Sequence, residues 1–220
     1  MCRFMSAIFL KNGDMIADPE HTDSHDVLAR AHGLSQTSLQ ALRHEFIRCE
    51  LVPVESYVDV ESYAFTVDES EVPSWADTDF QAKAAAKMRA AVRRMLVSDT
   101  KDVLLGGCWI LHGDAQVSEA VRVRIVVMLG SSSVEQMLGS SSVNQMRDSS
   151  SVKEMWDSSS VKEMRDSSSV KRMWDSSSVK QMRDSSSVEQ MLGSSSVEQM
   201  LGSSSVKEMW NSSQAPKRPK

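Results

Sequence analysis

The sequence predicts a small α+β head followed by an all-β right-handed β-solenoid (β-helix), and three observations carry that division. From Gly130 onward the chain repeats every nine residues, as in Asp157-Ser158-Ser159-Ser160-Val161-Lys162-Glu163-Met164-Arg165. Valine occupies every ninth position from 134 to 206 and methionine every ninth from 128 to 209, so ten of the 15 methionines form one column. The charge divides as well: residues 1–103 carry 11 Lys/Arg against 17 Asp/Glu, net −6, and residues 104–220 carry 14 against 13, net +1. The expected domains are a head over 1–103, a solenoid over 104–213 and a basic Pro/Lys tail over 214–220.

In the head, residues 4–10, an Asn12-Gly13 turn and residues 15–17 read as a β-hairpin, because Asn-Gly suits a type I′ turn. Asp23-Ser24-His25-Asp26 reads as a helix start with a side-chain cap and acids in the first turn, ending near His32-Gly33. Residues 46–54 and 63–67 read as further strands. Pro73-Ser74-Trp75 leads into the longest helix, expected over residues 78–97. Its stripe Phe80, Ala84, Met88, Ala91, Met95 is spaced for one buried face. Asp77 and Asp79 precede it and Arg93-Arg94 close it, as the helix dipole prefers.

The repeat does not read as helix. Three serines in every nine residues compete with the helical backbone for hydrogen bonds, and a β-branched Val follows them. Nine also matches neither the 7- nor the 11-residue coiled-coil repeat. A disordered Ser-rich linker has no reason to keep Val and Met three apart in copy after copy. Strict apolar columns point instead to coils that stack, each burying its Val and Met on the next.

The pitch is legible in the residue after each Met: Leu129, Leu138, Arg147, Trp156, Arg165, Trp174, Arg183, Leu192, Leu201, Trp210. Arg and Trp alternate at its centre, so like meets like every 18 residues. Two units per coil place Trp156 above Trp174 on one edge and Arg147, Arg165 and Arg183 on the other. A nine-residue coil would stack Arg on Trp instead, but at about 3.3 Å per residue it encloses too little room for Val and Met. The next column holds Asp (148, 157, 166, 175, 184) or Gly (130, 139, 193, 202), residues suited to a corner. Residues 113–121 match the unit with Ala120 in the Met place. Residues 122–129 match it one residue short, with Ile125 and Met128 in the apolar columns. Residues 104–111, LLGGCWIL, are apolar enough for an atypical first coil. Coils from 113 to 213 then number about five and a half and extend about 27 Å at roughly 4.8 Å each.

The blocks MCRFMSAIFLKNGDMIADPEHTDSHDVLARAHGL, VDESEVPSW and LLGGCWIL, followed by SSSVxxM units, resemble uncharacterised proteins of bacteriophages and prophages. The resemblance spans almost the whole chain and implies a phage or bacterial origin. It brings no activity, cofactor or catalytic residue.

Composition excludes several classes. No apolar run approaches the roughly 18 residues of a membrane span, so no membrane partner is expected. The opening MCRFMSAIFL lacks a small-residue cleavage site, which makes the host cytoplasm or the virion the expected location. Cys2, Cys49 and Cys108 are an odd, widely spaced set that forms neither a disulfide framework nor a CxxC zinc pattern. HExxH, GxSxG, Walker and GxGxxG motifs are all absent, so no cofactor is expected.

Two clusters remain. His21, Asp23 and His25, with Asp18, Glu20 and Asp26 nearby, are the densest group of potential metal ligands. A helix would put His21 and His25 on one face, but the Asp23/Ser24 cap places His21 ahead of the helix. The segment therefore reads as a solvated cap, with no metal expected. Cys108 lies in an apolar run, where cysteine is ordinarily inert. In the repeat, Trp156, Trp174 and Trp210 beside Arg147, Arg165 and Arg183 have the chemistry to stack on sugars or unpaired bases. The plainer reading is that they cover the coil corners. Calcium is not expected, because serines replace the glycines of calcium-binding nonapeptides. An ice-binding serine plane is interrupted by Arg, Lys and Glu.

The sequence thus leads to a non-enzymatic structural or binding module, a repeat rod presented by a small head. Its expected partner is a protein, glycan or nucleic acid, with end-to-end or side-by-side self-association. The alternative is an enzyme or metal-binding protein with its site around His21, Asp23 and His25. A nucleic-acid binder or mimic is the third reading, weakened by the near-zero charge of the repeat.

Overall fold

The computed structural model describes residues 4–34 and 45–216, and the chain divides into two units, one ending at Met95 and one beginning at Leu96. Cys2 and the basic tail residues Lys217, Arg218 and Lys220 lie outside the described residues.

Strand β1 (Met5–Leu10) is apolar at every position but Ser6 and buried along nearly its whole length, which makes it a central strand. It pairs antiparallel with β2 (Met15–Ile16) and β3 (Phe46–Val52), and β4 (Ala64–Val67) adds to β3, giving the order β2-β1-β3-β4. The expected type I′ turn is corrected. Leu10 N–H donates to Asp14 O at 2.9 Å across a three-residue loop, and only Gly13 (φ +87°) is left-handed there. A type I′ turn needs positive φ at both central residues. Helix α1 (His25–Ala31) packs Leu28 against Ile8 and Phe46. Helix α2 (Thr78–Arg93) brings Phe80 edge-on to Phe9, 6.4 Å between ring centres. Ile8 and Phe9 are neighbours in a strand and face opposite ways, so the helices cover opposite faces of the sheet.

The Asp77 carboxylate caps α2 by accepting from Phe80 N–H at 2.9 Å, and Ala84, Met88 and Ala91 are buried as the stripe requires. The helix stops at Arg93 rather than 97. Leu96 and Val97 form β5 (Leu96–Val97) and pair with Ile110 and Leu111, so the solenoid begins at 96 and not at 104.

After β5 come β6 (Thr100–Leu105), β7 (Cys108–Leu111), β8 (Gln116–Val121) and β9 (Arg124–Met128), then nine repeat strands from β10 (Ser133–Leu138) to β18 (Ser205–Met209). Even-numbered strands from β6 form one seven-stranded parallel sheet, and odd-numbered strands from β5 to β17 (Ser196–Met200) form another. Val161 pairs with Val143 and Val179, so each coil takes 18 residues. The atypical first coils keep the columns: Ile125 pairs with Val143, Met128 with Met146 and Ala120 with Met137.

Strict alternation would put Val152 and Met155 on opposite faces. The register instead runs Ser151, Val152, Glu154, Met155 and passes over Lys153, which lets both apolar side chains point inward. Val152 is 1% exposed and Met155 0%. Burying such a side chain stabilises by about 1.5–3 kcal/mol before ordering entropy is set against it.

The corner column is left-handed throughout the repeat, from Asp148 (φ +57°) and Gly139 (φ +67°) to Asn211 (φ +59°). Asp, Asn and Gly are the residues that tolerate that region, so the Asp/Gly column is a conformational requirement. The middle serine of each triplet, such as Ser159, is fully buried at the corner that follows. At the far end Gln214 bridges Ser196, while Met209 and Trp210 are exposed. Among the described residues no helix is long and apolar enough to cross a membrane.

Candidate functional site

The solenoid's outward side chains form ladders, because every coil repeats the same register. Trp156 and Trp174 stack with ring centres 4.9 Å apart and planes 6° off parallel, and Trp156 Nε1 donates to Glu154 Oε2 at 3.0 Å. One face of each ring is thus taken by the other. Trp210 lies on the same edge with Leu192 between it and Trp174, and is 57% exposed. Arg147, Arg165 and Arg183 follow odd-numbered strands on the other edge. Arg147 donates to Gln145 Oε1 at 2.7 Å, and Arg165 and Arg183 pair with Glu163 Oε1 at 2.8 and 3.1 Å. Glu163 holds the Arg165 guanidinium above its ordinary pKa.

The sheet faces behave alike. Arg172 pairs with Glu154, Lys207 with Glu189 at 3.1 Å, and Gln181 donates to Gln199 at 2.9 Å. Two shallow cavities lie among these ladders. One of about 120 Å³ is lined by Lys162, Glu163, Lys180, Gln181 and Gln199. The other, of about 500 Å³, includes Lys153, Lys171 and Glu189.

In the head the expected cluster separates. His21 is exposed and its Nδ1 lies 2.9 Å from Asp18 Oδ1, which raises the imidazole pKa above its ordinary value. Asp23 contributes its carbonyl, which accepts from Ser6 Oγ at 2.6 Å. The expected side-chain cap is corrected: Ser24 is the N-cap residue but makes no side-chain cap bond. His25 is not solvated either. It is 4% exposed, with Nε2 at 3.0 Å from Cys49 O and Nδ1 at 3.4 Å from Asp68 Oδ2.

His25 therefore belongs to a different group, whose ligand-type atoms on His25, Glu50 and Asp68 all lie within 4.8 Å of one another. Strand pairing explains the meeting. Ser6 lies opposite Glu50 and Ile8 opposite Arg48, so β3 turns Arg48 and Glu50 toward the face that α1 covers. Asp68 follows β4, and its N–H donates to Arg48 O at 2.8 Å. Arg48 itself is engaged by both carboxylate oxygens of Glu69, each at 3.0 Å.

No protein-family model, curated protein or solved structure matches the chain.

Sequence reasoning missed Glu50 and Asp68 because they come from separate elements with no local spacing to betray them. The one signal was the charged pair Arg48 and Glu50 alternating with buried residues in a strand. Cys49 and Cys108 are both buried, and burial pushes the Cys49 thiol up to about 12.

Proposed function

We propose that the chain is a non-enzymatic structural or binding module of bacteriophage or bacterial origin. In this reading the solenoid is a stiff spacer whose outer ladders display side chains to a protein, glycan or nucleic-acid partner. One observation carries it: the charged side chains of the repeat pair with one another along the surface, some one coil away, as Arg172 does with Glu154 and Lys207 with Glu189, and some within their own coil, as Arg165 does with Glu163. Catalysis needs groups that converge on a water-excluding pocket. Ladders diverge along a surface, and the interior is filled by Val and Met columns such as Val161 and Met164. The phage origin rests on the resemblance of the sequence blocks.

Coil number tests the proposal. Full-length chains with one 18-residue coil removed or added are applied to a glycan array and to immobilised single-stranded and duplex DNA. A display surface gives retention of at least one probe that rises with coil number and leaves the probe chemically unchanged. Turnover of a probe, or binding indifferent to coil number, would overturn it.

A further inference from the structure

We infer that the head binds a divalent cation of the zinc class through His25 Nδ1 and the carboxylates of Glu50 and Asp68. The inference stands apart from the role of the solenoid. It begins with the histidine ring. Cys49 O, 3.0 Å from Nε2, is only an acceptor, so it holds the ring proton on Nε2. The other ring nitrogen, Nδ1, lies 3.4 Å from Asp68 Oδ2. A cation seated between the two atoms would be coordinated by both.

The geometry agrees. A tetrahedral zinc ion with bonds of about 2.0–2.1 Å has ligand–ligand edges of about 3.4 Å. The Nδ1–Asp68 separation already has that length, and Glu50 lies within the same 4.8 Å group. A backbone carbonyl gripping the far nitrogen is also how metal-bound histidines are ordinarily oriented. The charge is favourable too. Two carboxylates face the ring, while the neighbouring cation, Arg48, is committed to Glu69. One imidazole and two carboxylates suit zinc or manganese better than magnesium or calcium, which take all-oxygen sites. Three protein ligands leave a fourth position for water, and the exposed Asp68 carboxylate gives the ion its way in.

The test uses the full chain, stripped with chelator and titrated with zinc chloride by calorimetry, with bound metal counted after equilibrium dialysis. One equivalent binds to the wild type. Asp68→Asn and Glu50→Gln each weaken binding by about 10–100-fold, with the melting temperature of the metal-free chain preserved. His21→Ala leaves binding unchanged. Because His25 is buried, its role is read from the unsubstituted ring: zinc shifts the nitrogen resonance of Nδ1 and leaves Nε2 protonated. Binding below a tenth of an equivalent, undiminished binding in both carboxylate variants, or a His25 ring carrying both protons in the presence of zinc overturns the inference. In that last case the cluster is a plain His25–Asp68 ion pair.

Discussion

Asp184 accepts, through Oδ2, the backbone N–H of Asp166 one coil earlier at 3.3 Å. Asp166 does the same for Asp148 at 3.1 Å, and on the other edge Asp175 does so for Asp157 at 3.3 Å. Each acid therefore meets two needs at once. It adopts the left-handed corner and satisfies the N–H that its neighbour leaves without an intra-strand partner. Stacked carboxylates repel, but at an exposed corner water screens that repulsion.

The corner column predicts an order of tolerance at Asp166, whose φ is +56°. Asn keeps both the conformation and an oxygen acceptor, so Asp166→Asn melts close to wild type. Asp166→Ala loses the acceptor and strains the corner, at about 1–2 kcal/mol. Thermal melting of the two variants decides, and equal melting temperatures would discard the double role.

The apolar columns predict a sharper contrast. Val161 and Met164 are 1% and 0% exposed, whereas the Lys162 side chain between them faces solvent. Val161→Asp or Met164→Asp places an unpaired carboxylate in the interior at several kcal/mol. Lys162→Ala stays within about 0.5 kcal/mol. Urea unfolding measured on all three separates them, and three equal midpoints would show that the coils are not packed.

How much was legible in the sequence follows from which residues repeat. The pairing of Val161 with Val143 and Val179 was readable because the Arg/Trp column already alternated with an 18-residue period. The burial of Ser159 was not, since serine composition suggests a surface while the corner simply has room for a small side chain. The end of α2 was misplaced because Leu96 and Val97 extend the apolar run that begins at Met95. Only their pairing with Ile110 and Leu111 turns them into strand, a tertiary preference overriding a local one. The His25 group was hidden for a related reason, its carboxylates arriving from β3 and the segment after β4. Where function lies in a non-repeating contact between elements, periodicity carries no trace of it.

The buried Cys49 thiol gives a pH prediction. Its pKa is raised from the ordinary value near 9 to about 12 by burial, while the unfolded chain releases the proton near its ordinary value. Below that value both states are protonated, and the stability is fully present. As pH rises from about 9 toward 12 the unfolded state binds fewer protons, so stability falls by at most about 1.4 kcal/mol per pH unit. Burial raises the Tyr63 phenol in the same direction, so the loss has two contributors. Chemical unfolding of the head at pH 8 and pH 10.5, followed by Trp75 fluorescence, shows the drop. Cys49→Ala reduces it, and a slope unchanged by that substitution would remove Cys49 from the account.

The 18-residue coil makes a last prediction about Trp210, now exposed at the end of its edge with Leu192 between it and Trp174. Deleting residues 175–192 removes one coil, keeps every Val and Met column continuous and brings Trp210 directly onto Trp174. The existing pair becomes a stack of three, worth about 0.5–1.5 kcal/mol for the added contact. Deleting only residues 175–183 also keeps the columns but shifts every later strand to the other sheet. Trp210 then falls on the edge of Arg147 and Arg165, away from Trp174. Both shortened chains fold, since the interior is the same in either sheet. They differ in the indoles: acrylamide quenching of Trp210 falls and the exciton-coupled Trp signal in circular dichroism grows only for the 18-residue deletion. Growth of that signal in the nine-residue deletion would contradict the alternation of strands between the two sheets.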